Sequence, residues 1–310
     1  MLHVFKALAD ESRLRLVAVL AQGDFNVNEL IEILRMGQSR ISRHLKILAD
    51  SGLVAGRREG NWIYYSLAAS QENSALAQII RIAAQSVKDS EGYEKDLQHL
   101  ESLVQRRRSI SQKYFDRVGP EWECLQRGVL DSNSYREQAL AYLPKDKDCV
   151  VDLGAGAGLL LPSLLGRFKN VIAIDSSQTM LKVAADYAQK QNAEAVPRCE
   201  FRLGELEHLP IHDRSVDAAM ASMVLHHVSN PANAIAEVYR ILKRGGTFVI
   251  ADLLEHNIAE MREKYADLWL GFKKSDLTKW LTAAGFAVQK TEVLTQHETM
   301  KVLLIQATKN

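Results

Sequence analysis

The stretch CVVDLGAGAGLL, residues 149–160, runs from an apolar segment into three glycines spaced two residues apart. Its first five residues predict a buried strand, the alternating glycines predict a tight loop, and the apolar residues after them predict a helix. The next predicted strand, 171–174, ends at Asp175, where a carboxylate can accept hydrogen bonds from ribose hydroxyls. Together the loop, the helix N-terminus and this acid predict a site for a nucleoside ligand.

The spacing of the glycines restricts which nucleoside fits. The dinucleotide pattern G-x-G-x-x-G requires glycine at position 159, which is leucine here. The phosphate-loop signature G-K-[ST] is absent from the loop. NAD and ATP are therefore both disfavoured as ligands.

The pattern D-x-G-x-G-x-G, which begins at Asp152, resembles the first motif of class I S-adenosylmethionine-dependent methyltransferases. The resemblance continues through Asn310 in FRLGELEHLP, SVDAAMASMVLHHV and NPANAIAEVYRILKRGGTFVIADL. It implies an α/β domain with a seven-stranded, Rossmann-like sheet that binds S-adenosylmethionine or S-adenosylhomocysteine. It places the ligand against Asp152, Gly154, Gly156, Gly158, Asp175, Ser176, Glu205, Leu206 and Met223.

The first seventy residues predict a helix-turn-helix followed by a hairpin. Apolar residues at helical spacing predict helices over 7–20 and 27–34, and a third, amphipathic segment follows Gly37. In that segment Ile41, Leu45 and Leu48 share one face, which leaves hydroxyls and cations on the opposite arc. Residues 53–67 predict two strands around a basic tip. We expect an α+β winged helix.

Charge is distributed unevenly along the chain. The whole sequence has a net charge of only +1, but residues 35–65 contain six basic and two acidic residues. A cationic helix with short polar side chains suits the phosphates and base edges of a major groove. The residues predicted to contact DNA are Gln38, Ser39, Arg40, Ser42, Arg43, His44, Lys46, Arg57 and Arg58.

The segments FKALADESRLRLVAVL, NELIEIL, QSRISRHLKILADSGLV and RREGNWIYYSL resemble the ArsR-type family of winged-helix transcriptional regulators over about residues 1–70. The resemblance implies a homodimer that pairs through the first helix and a helix after the wing, here 74–87, and that reads a palindromic double-stranded operator. The family's second helix often carries cysteines that bind arsenite or soft metals. The matching stretch, 27–34, has none, so no metal site is predicted.

The remaining features concern organisation and location. We predict a DNA-binding and dimerisation domain over 1–88, a helical connector over 89–147 and a ligand-binding domain over 148–310. In the connector, Tyr114, Phe115 and Trp122 are expected either to pack on a neighbouring domain or to close over the ligand, with Tyr114 among its contacts. Few and separated cysteines, an N-terminus of mixed charge and no long apolar stretch predict a cytoplasmic protein without a membrane span.

Two functions follow from the combined resemblances. ArsR-type regulators fused to methyltransferase-like domains resemble ligand-responsive repressors or activators of methionine and S-adenosylmethionine cycle genes, with S-adenosylhomocysteine as effector. The alternative is an active methyltransferase of a small molecule, for which His226 and His227 are the candidate bases. A metal-responsive repressor is a third reading, which the missing thiols disfavour. Which of the two nucleosides binds stays open at this stage.

Overall fold

A computed structural model describes residues 1–59, 62–68, 75–119, 132–258, 260–295 and 300–310. The chain forms two compact units, Met1–Arg107 and Arg108–Asn310. The division between them falls inside one long helix. The expected connector, 89–147, spans this division, and its extent as a separate segment stays a prediction.

The first unit is a helix-turn-helix with a three-stranded sheet. Strand β1 pairs with β3 and β3 pairs with β2, both antiparallel. Its helices are α1 (Leu2–Leu8), α2 (Glu11–Leu20), α3 (Val27–Leu34), α4 (Gln38–Asp50) and α5 (Ala75–Gln85), and its strands are β1 (Phe25–Asn26), β2 (Val54–Glu59) and β3 (Trp62–Leu67). Strands β2 and β3 are the predicted hairpin, whose tip, 60–61, lies outside the described residues.

Local side-chain chemistry sets the ends of these helices. The carboxylate of Asp10 accepts a hydrogen bond from the backbone N–H of Arg13 and caps α2. At α3, Asn26 and Glu29 form a reciprocal capping box, which satisfies two backbone N–H groups that the first turn leaves unpaired. In α4 the three apolar residues of the predicted inner face, at positions 41, 45 and 48, are at most 1% exposed.

Helix α6 (Glu91–Val118) is the long helix in which the division falls. Its N-terminal part packs in the first unit, where Arg15 of α2 makes two hydrogen bonds, of 2.7 and 2.6 Å, to the buried carboxylate of Asp96. A two-point pair of this kind fixes direction as well as distance. Of the described residues, none lies in a helix both long and apolar enough to cross a membrane.

The second unit contains the predicted seven-stranded sheet. The strand order is β6-β5-β4-β7-β8-β10-β9, parallel except for β10, which is antiparallel to both of its neighbours. Its strands are β4 (Cys149–Leu153), β5 (Asn170–Asp175), β6 (Cys199–Leu203), β7 (Val216–Ser222), β8 (Leu242–Leu253), β9 (Phe286–Thr295) and β10 (Lys301–Lys309). The order reverses direction at β4, so the loops after β4 and β7 diverge and leave a crevice.

Helices cover both faces of this sheet. They are α7 (Ser132–Ala141), α8 (Leu161–Leu165), α9 (Gln178–Asn192), α10 (Pro231–Ile241), α11 (Glu260–Tyr265) and α12 (Lys274–Ala284). Helices α7, α8 and α9 contribute buried side chains to the core on one face, and α10 and α12 to the core on the other. The strands are apolar on both faces because both are covered.

The glycine loop lies against α9 at Gly158. Gly158 has a φ of +77°, and a Cβ built there would lie 2.8 Å from the Cα of Ala184. A side chain at this position is therefore opposed by the backbone conformation and by a neighbouring helix backbone. Gly245 has nearly the same conformation, with a φ of +75°, but no atom within 4 Å of its hypothetical Cβ.

These two glycines form a matched test of the close approach. Gly245→Ala should lower the free energy of unfolding by roughly 1–2 kcal/mol, because alanine disfavours the left-handed backbone conformation. Gly158→Ala should cost about 1–3 kcal/mol more, because α9 must move. Urea denaturation of both variants measures the difference. Equal losses of stability would show that α9 does not constrain the loop.

Candidate functional site

A cavity of about 140 Å³ opens at the carboxyl ends of β4, β5 and β7. It is lined by Arg108, Ser111, Gln112, Phe115, Tyr135, Arg136, Asp152, Gly154, Ala155, Gly156, Ala157, Leu159, Leu160, Asp175, Ser176, Met180, Glu205, Leu206, Glu207, Ser222, Met223, Val224, His227, Val228 and Ser229. Eight of the ten residues expected to contact the ligand are in this set. Gly158 and Tyr114 are not.

The two exceptions have different physical reasons. Gly158 packs against α9 beneath the loop, so it shapes the cavity without facing it. Tyr114 lies with its ring edge against Phe115, at a centroid distance of 5.4 Å, and Phe115 is the one of the two that lines the cavity. A ligand contact from Tyr114 stays a prediction, and Phe115 is the aromatic of this pair that the cavity wall contains. Trp122, the third expected aromatic, lies outside the described residues.

Asp175 is a buried carboxylate held by backbone N–H groups. Its two oxygens accept hydrogen bonds from the amides of Gly156 and Ser177, each 2.9 Å long. Burial raises the pKa of this carboxyl, and the amide bonds counteract part of that rise. The carboxylate is thereby fixed at the cavity wall, and its remaining lone pairs can accept hydrogen bonds from hydroxyl groups.

Asp152 is more deeply buried than Asp175, with 1% of its surface exposed against 9%. Burial, followed by the nearby charge of Asp175, raises the pKa of the Asp152 carboxyl to about 7. Among the described residues, its Oδ2 has no hydrogen-bond partner. A buried oxygen of this kind at a cavity wall suits a ligand that donates an N–H. Asp152 is among the residues that the resemblance places against the ligand, and this contact stays a prediction.

Sequence reasoning did not find the contribution of α6. Arg108 makes ion pairs of 3.1 Å with both Glu205 and Glu207 inside the cavity wall. One turn on, the side-chain amide of Gln112 donates to the carbonyl of Ser176 at 3.0 Å. The helical pattern of 91–118 indicates a solvated face, and nothing in it specifies a partner more than ninety residues away.

His226 and His227, the candidate bases, lie in a short 3₁₀ turn after β7. His227 lines the cavity, and burial followed by the charge of His226 lowers the pKa of His227 well below its ordinary value. His226 is not among the residues that line the cavity, and it bonds through Nδ1 to Asp252 at 2.6 Å. Burial opposes protonation of His226, but the carboxylates of Asp252 and Asp267 outweigh it and raise its pKa to about 9.

The outer face of α4 is the second candidate site. Six of the seven predicted DNA-contact residues of this helix are exposed, namely Gln38, Ser39, Arg40, Ser42, Arg43 and Lys46. His44 is only 7% exposed, because it follows Ile41 by three positions and shares its inward face. A DNA contact from His44 stays a prediction, and His44 is the least accessible of the seven.

On the hairpin, the two arginines differ in exposure. Arg58 is exposed, whereas Arg57 is half-buried and lies 3.6 Å from the carboxylate of Asp24. Both stay in the predicted interface, with Arg58 the more accessible.

The reversed strand order, the glycine loop and the buried acid after the next strand define a class I methyltransferase fold. Residues 151–250 match the family model of the methyltransferase domain, and residues 10–55 match that of bacterial regulatory proteins of the arsR family. The chain thus has a helix-turn-helix segment similar to the arsR family and a second segment similar to class I methyltransferase domains. Both resemblances, and the predicted fold of each part, are confirmed.

Curated relatives match the second unit's family. An arsenite methyltransferase of Halobacterium salinarum is 34% identical over 111 residues, 35% of this chain and 28% of that protein. A malonyl-[acyl-carrier protein] O-methyltransferase of Marinomonas sp. is 31% identical over 162 residues, 50% of this chain and 56% of that protein. The chain therefore spans less than two thirds of the length of either relative.

Solved structures share the fold at low identity. The 1,6-didemethyltoxoflavin-N1-methyltransferase of Burkholderia thailandensis, solved with S-adenosylhomocysteine, has a TM-score of 0.55 and 19% identity, covering 67% of this chain and 90% of its own. The [4+2]-cyclase SpnF also has a TM-score of 0.55 and 19% identity, covering 66% and 96%. One fold thus occurs in a methyltransferase and in a [4+2]-cyclase.

The raised pKa of Asp152 predicts a pH-dependent stability. Between its ordinary value of 3.8 and about 7, the folded carboxyl keeps a proton that the unfolded chain releases, so the stability of the ligand-free protein falls as pH rises through this window. Relative to Asp152→Asn, the wild type should lose about 2–3 kcal/mol of unfolding free energy from pH 5 to pH 7. Denaturant titrations at each pH measure this.

Asp186→Asn, at an exposed position of α9, is the control, and its difference from wild type should not change with pH. A constant difference between wild type and Asp152→Asn across the same range would contradict the prediction.

Proposed function

We propose that this chain is a DNA-binding transcriptional regulator whose methyltransferase-type domain senses S-adenosylhomocysteine or S-adenosylmethionine, and that it controls genes of the methionine and S-adenosylmethionine cycle. The observation that carries the proposal is the position of three consecutive arginines, Arg106, Arg107 and Arg108, at the division of the chain. The first two contact the helix-turn-helix, and the third contacts the cavity wall.

The contacts in the first unit are made to α3, the helix that precedes α4. Arg106 pairs with Glu32 through two hydrogen bonds of 2.7 Å each. Arg107 donates to Glu29 at 2.6 Å, and Glu29 is the capping-box residue of α3. Bidentate contacts of this kind hold orientation. A displacement of this part of α6 would therefore displace the N-terminal turns of α3.

The contacts in the second unit are made where a nucleoside would lie. Arg108 pairs with Glu205, which the family resemblance places beside the adenine, and Phe115 and Gln112 border the same cavity. A ligand that hydrogen-bonds Glu205 competes with Arg108 for the same carboxylate oxygens. The nucleoside would thus change the contacts of a helix that also holds α3, which is the differential interaction that a ligand switch requires.

The test is the effect of nucleoside on DNA affinity in the full-length protein. The probe is a duplex recovered by the protein from a randomised library, and binding is followed by fluorescence anisotropy with each nucleoside in turn. We expect one of them to change DNA affinity by about 5–150-fold, the usual range of allosteric coupling. If neither changes it at concentrations that saturate the cavity, the sensor proposal is wrong.

The arginine run should transmit this effect. In an Arg106→Ala/Arg107→Ala variant, the ratio of DNA affinities with and without nucleoside should fall towards one, because α6 loses its contacts to α3. Calorimetric affinity for the nucleoside should be retained, since the cavity is untouched. Lys113→Ala, at an exposed position of the same helix, is the matched control and should keep the full ratio. An unchanged ratio in the double variant would refute the role of the run.

The DNA-binding part of the proposal rests on α4 and on a dimer. Three large apolar side chains are exposed on helices that the resemblance implies in pairing, Leu2 and Phe5 on α1 and Ile82 on α5, at 69%, 55% and 65%. Exposed apolar groups of this size are typical of an interface. A two-fold dimer would present two copies of α4 to a palindromic operator.

Arg43 is the residue we choose to test this interface. It is exposed on the outer face of α4, so Arg43→Ala should weaken binding to the selected duplex at least about 5-fold and reduce the slope of log affinity against log salt by about one if the contact is to phosphate. Lys88→Ala removes an exposed cation outside α4 and should have little effect. Equal affinities for both variants would exclude α4 as the recognition helix.

A second candidate function is methyl transfer to a small molecule. Its support is the class of the relatives and a cavity whose wall includes His227. Incubation of the protein with labelled S-adenosylmethionine and candidate acceptors separates the two functions, because repeated turnover with any acceptor would favour the enzyme.

A further inference from the structure

Three side chains at or near the cavity form a cluster, and two of them, His226 and His227, are also the candidate bases of the methyl-transfer alternative. One potential ligand atom each from His226, His227 and Asp267 lies within 4.8 Å of the others. The Nε2 of His226 is 3.9 Å from Oδ1 of Asp267, and the Nδ1 of His227 is 3.8 Å from the same oxygen. These separations are too long for hydrogen bonds. They are close to the spacing of two ligands on one cation, with bonds of about 2.0–2.2 Å.

His226 is oriented by a carboxylate on its other nitrogen. Its Nδ1 lies 2.6 Å from Oδ1 of Asp252, and Asp252 is fixed in turn by backbone N–H groups of Leu225 and Leu253 at 2.8 and 2.7 Å. Asp252 has no exposed surface. When a cation displaces the proton of Nε2 and the hydrogen on Nδ1 stays bonded to Asp252, the lone pair of Nε2 points towards the cation beside Asp267. A carboxylate behind a histidine is the arrangement that orients metal-binding imidazoles.

The buried carboxylate of Asp267 also indicates a cation site. Its carboxylate is 3% exposed, and among the residues that the structure describes neither oxygen has a hydrogen-bond partner. A buried carboxylate without donors is costly, and a cation is one of the few partners that removes the cost. With neutral imidazoles, Asp252 and Asp267 together carry two negative charges, which a divalent ion balances.

We propose that His226, His227 and Asp267 bind a divalent transition-metal ion of the zinc class. Two imidazoles and one carboxylate favour such an ion over Mg²⁺ or Ca²⁺, which prefer all-oxygen ligands. Three protein ligands leave a fourth position open, as in zinc sites that bind water or a small molecule. His227 lines the cavity, so the open position would face it. The proposal replaces the sequence-based expectation of no metal and does not depend on either function above.

The side chains must move closer together to reach coordination. In a tetrahedral site with bonds near 2.1 Å the ligand atoms lie about 3.4 Å apart, so the two pairs that include Asp267 must each approach by about half an ångström and a pair 4.8 Å apart by about 1.4 Å. His227 would exchange its 3.3 Å contact with the carbonyl of Ala266 for the ion, if it binds through Nδ1. Asp267 loses no hydrogen bond to a described residue on moving.

The experiment uses the full-length protein after treatment with a chelator and dialysis. Calorimetric titration with ZnCl₂ should show one ion per chain. Asp267→Asn and His226→Gln should each lower zinc affinity by at least the roughly 10–100-fold that loss of a supporting contact costs. The chain has nine histidines, so His208→Gln, at an exposed position, is the matched control and should bind zinc as the wild type does.

Binding of S-adenosylhomocysteine by each variant reports that the second unit is folded. X-ray absorption of the zinc-loaded wild type does not depend on any variant and should show two imidazoles and at least one oxygen ligand. The proposal is overturned by absent zinc binding, by affinity that survives both substitutions, or by a spectrum without imidazole. In the first case His226 would serve as a protonated imidazole between two carboxylates.

Discussion

Buried carboxylates at the carboxyl edge of the parallel strands constrain the second unit more than any other feature. Asp152, Asp175 and Asp252 end or nearly end β4, β5 and β8, and each is at most 9% exposed. An unpaired buried charge costs several kcal/mol, so each of these carboxylates must be hydrogen-bonded, paired with a charge or protonated. Asp175 has backbone amides, Asp252 has amides and an imidazole, and Asp152 has a pKa near 7 and can hold a proton.

The hydrogen bonds to these carboxylates explain part of the backbone conformation of the loops at this edge. The amide of Gly156 can reach Asp175 because the loop adopts positive φ values at alternate residues. Met223, after β7, is also in the left-handed region, with a φ of 53°, although it is not glycine. Such strain persists where surrounding contacts enforce it, and here the amide of Met223 bonds to the carbonyl of Ala251 on β8. The cavity is therefore built from conformations that its own buried charges stabilise.

Features of the site whose residues lie close together in the sequence could be predicted, and contacts between residues far apart in the sequence could not. The glycine loop and Asp175 lie within a short stretch, and the pattern defined them. The burial of His44 could have been predicted, because a residue three positions after Ile41 lies on the same face of the helix. Arg108 could not have been found, because its partners at 205 and 207 lie far along the sequence, and a run of arginines on a helix is usually solvated. The same holds for Asp267, which only the fold brings to His226.

The state of the titratable groups around the cavity favours binding over proton transfer. Asp175 accepts two amide hydrogen bonds, Glu205 is paired with Arg108, and the pKa of His227 is lowered by burial and by its neighbour, so none of the three is suited to act as a base near neutral pH. Asp152 has the right pKa, but it lies where the nucleoside itself is expected. Methylation of a hydroxyl or amine needs a base beside the acceptor, whereas recognition of a nucleoside needs only these fixed partners. The balance of these groups therefore agrees with the proposal of a sensor.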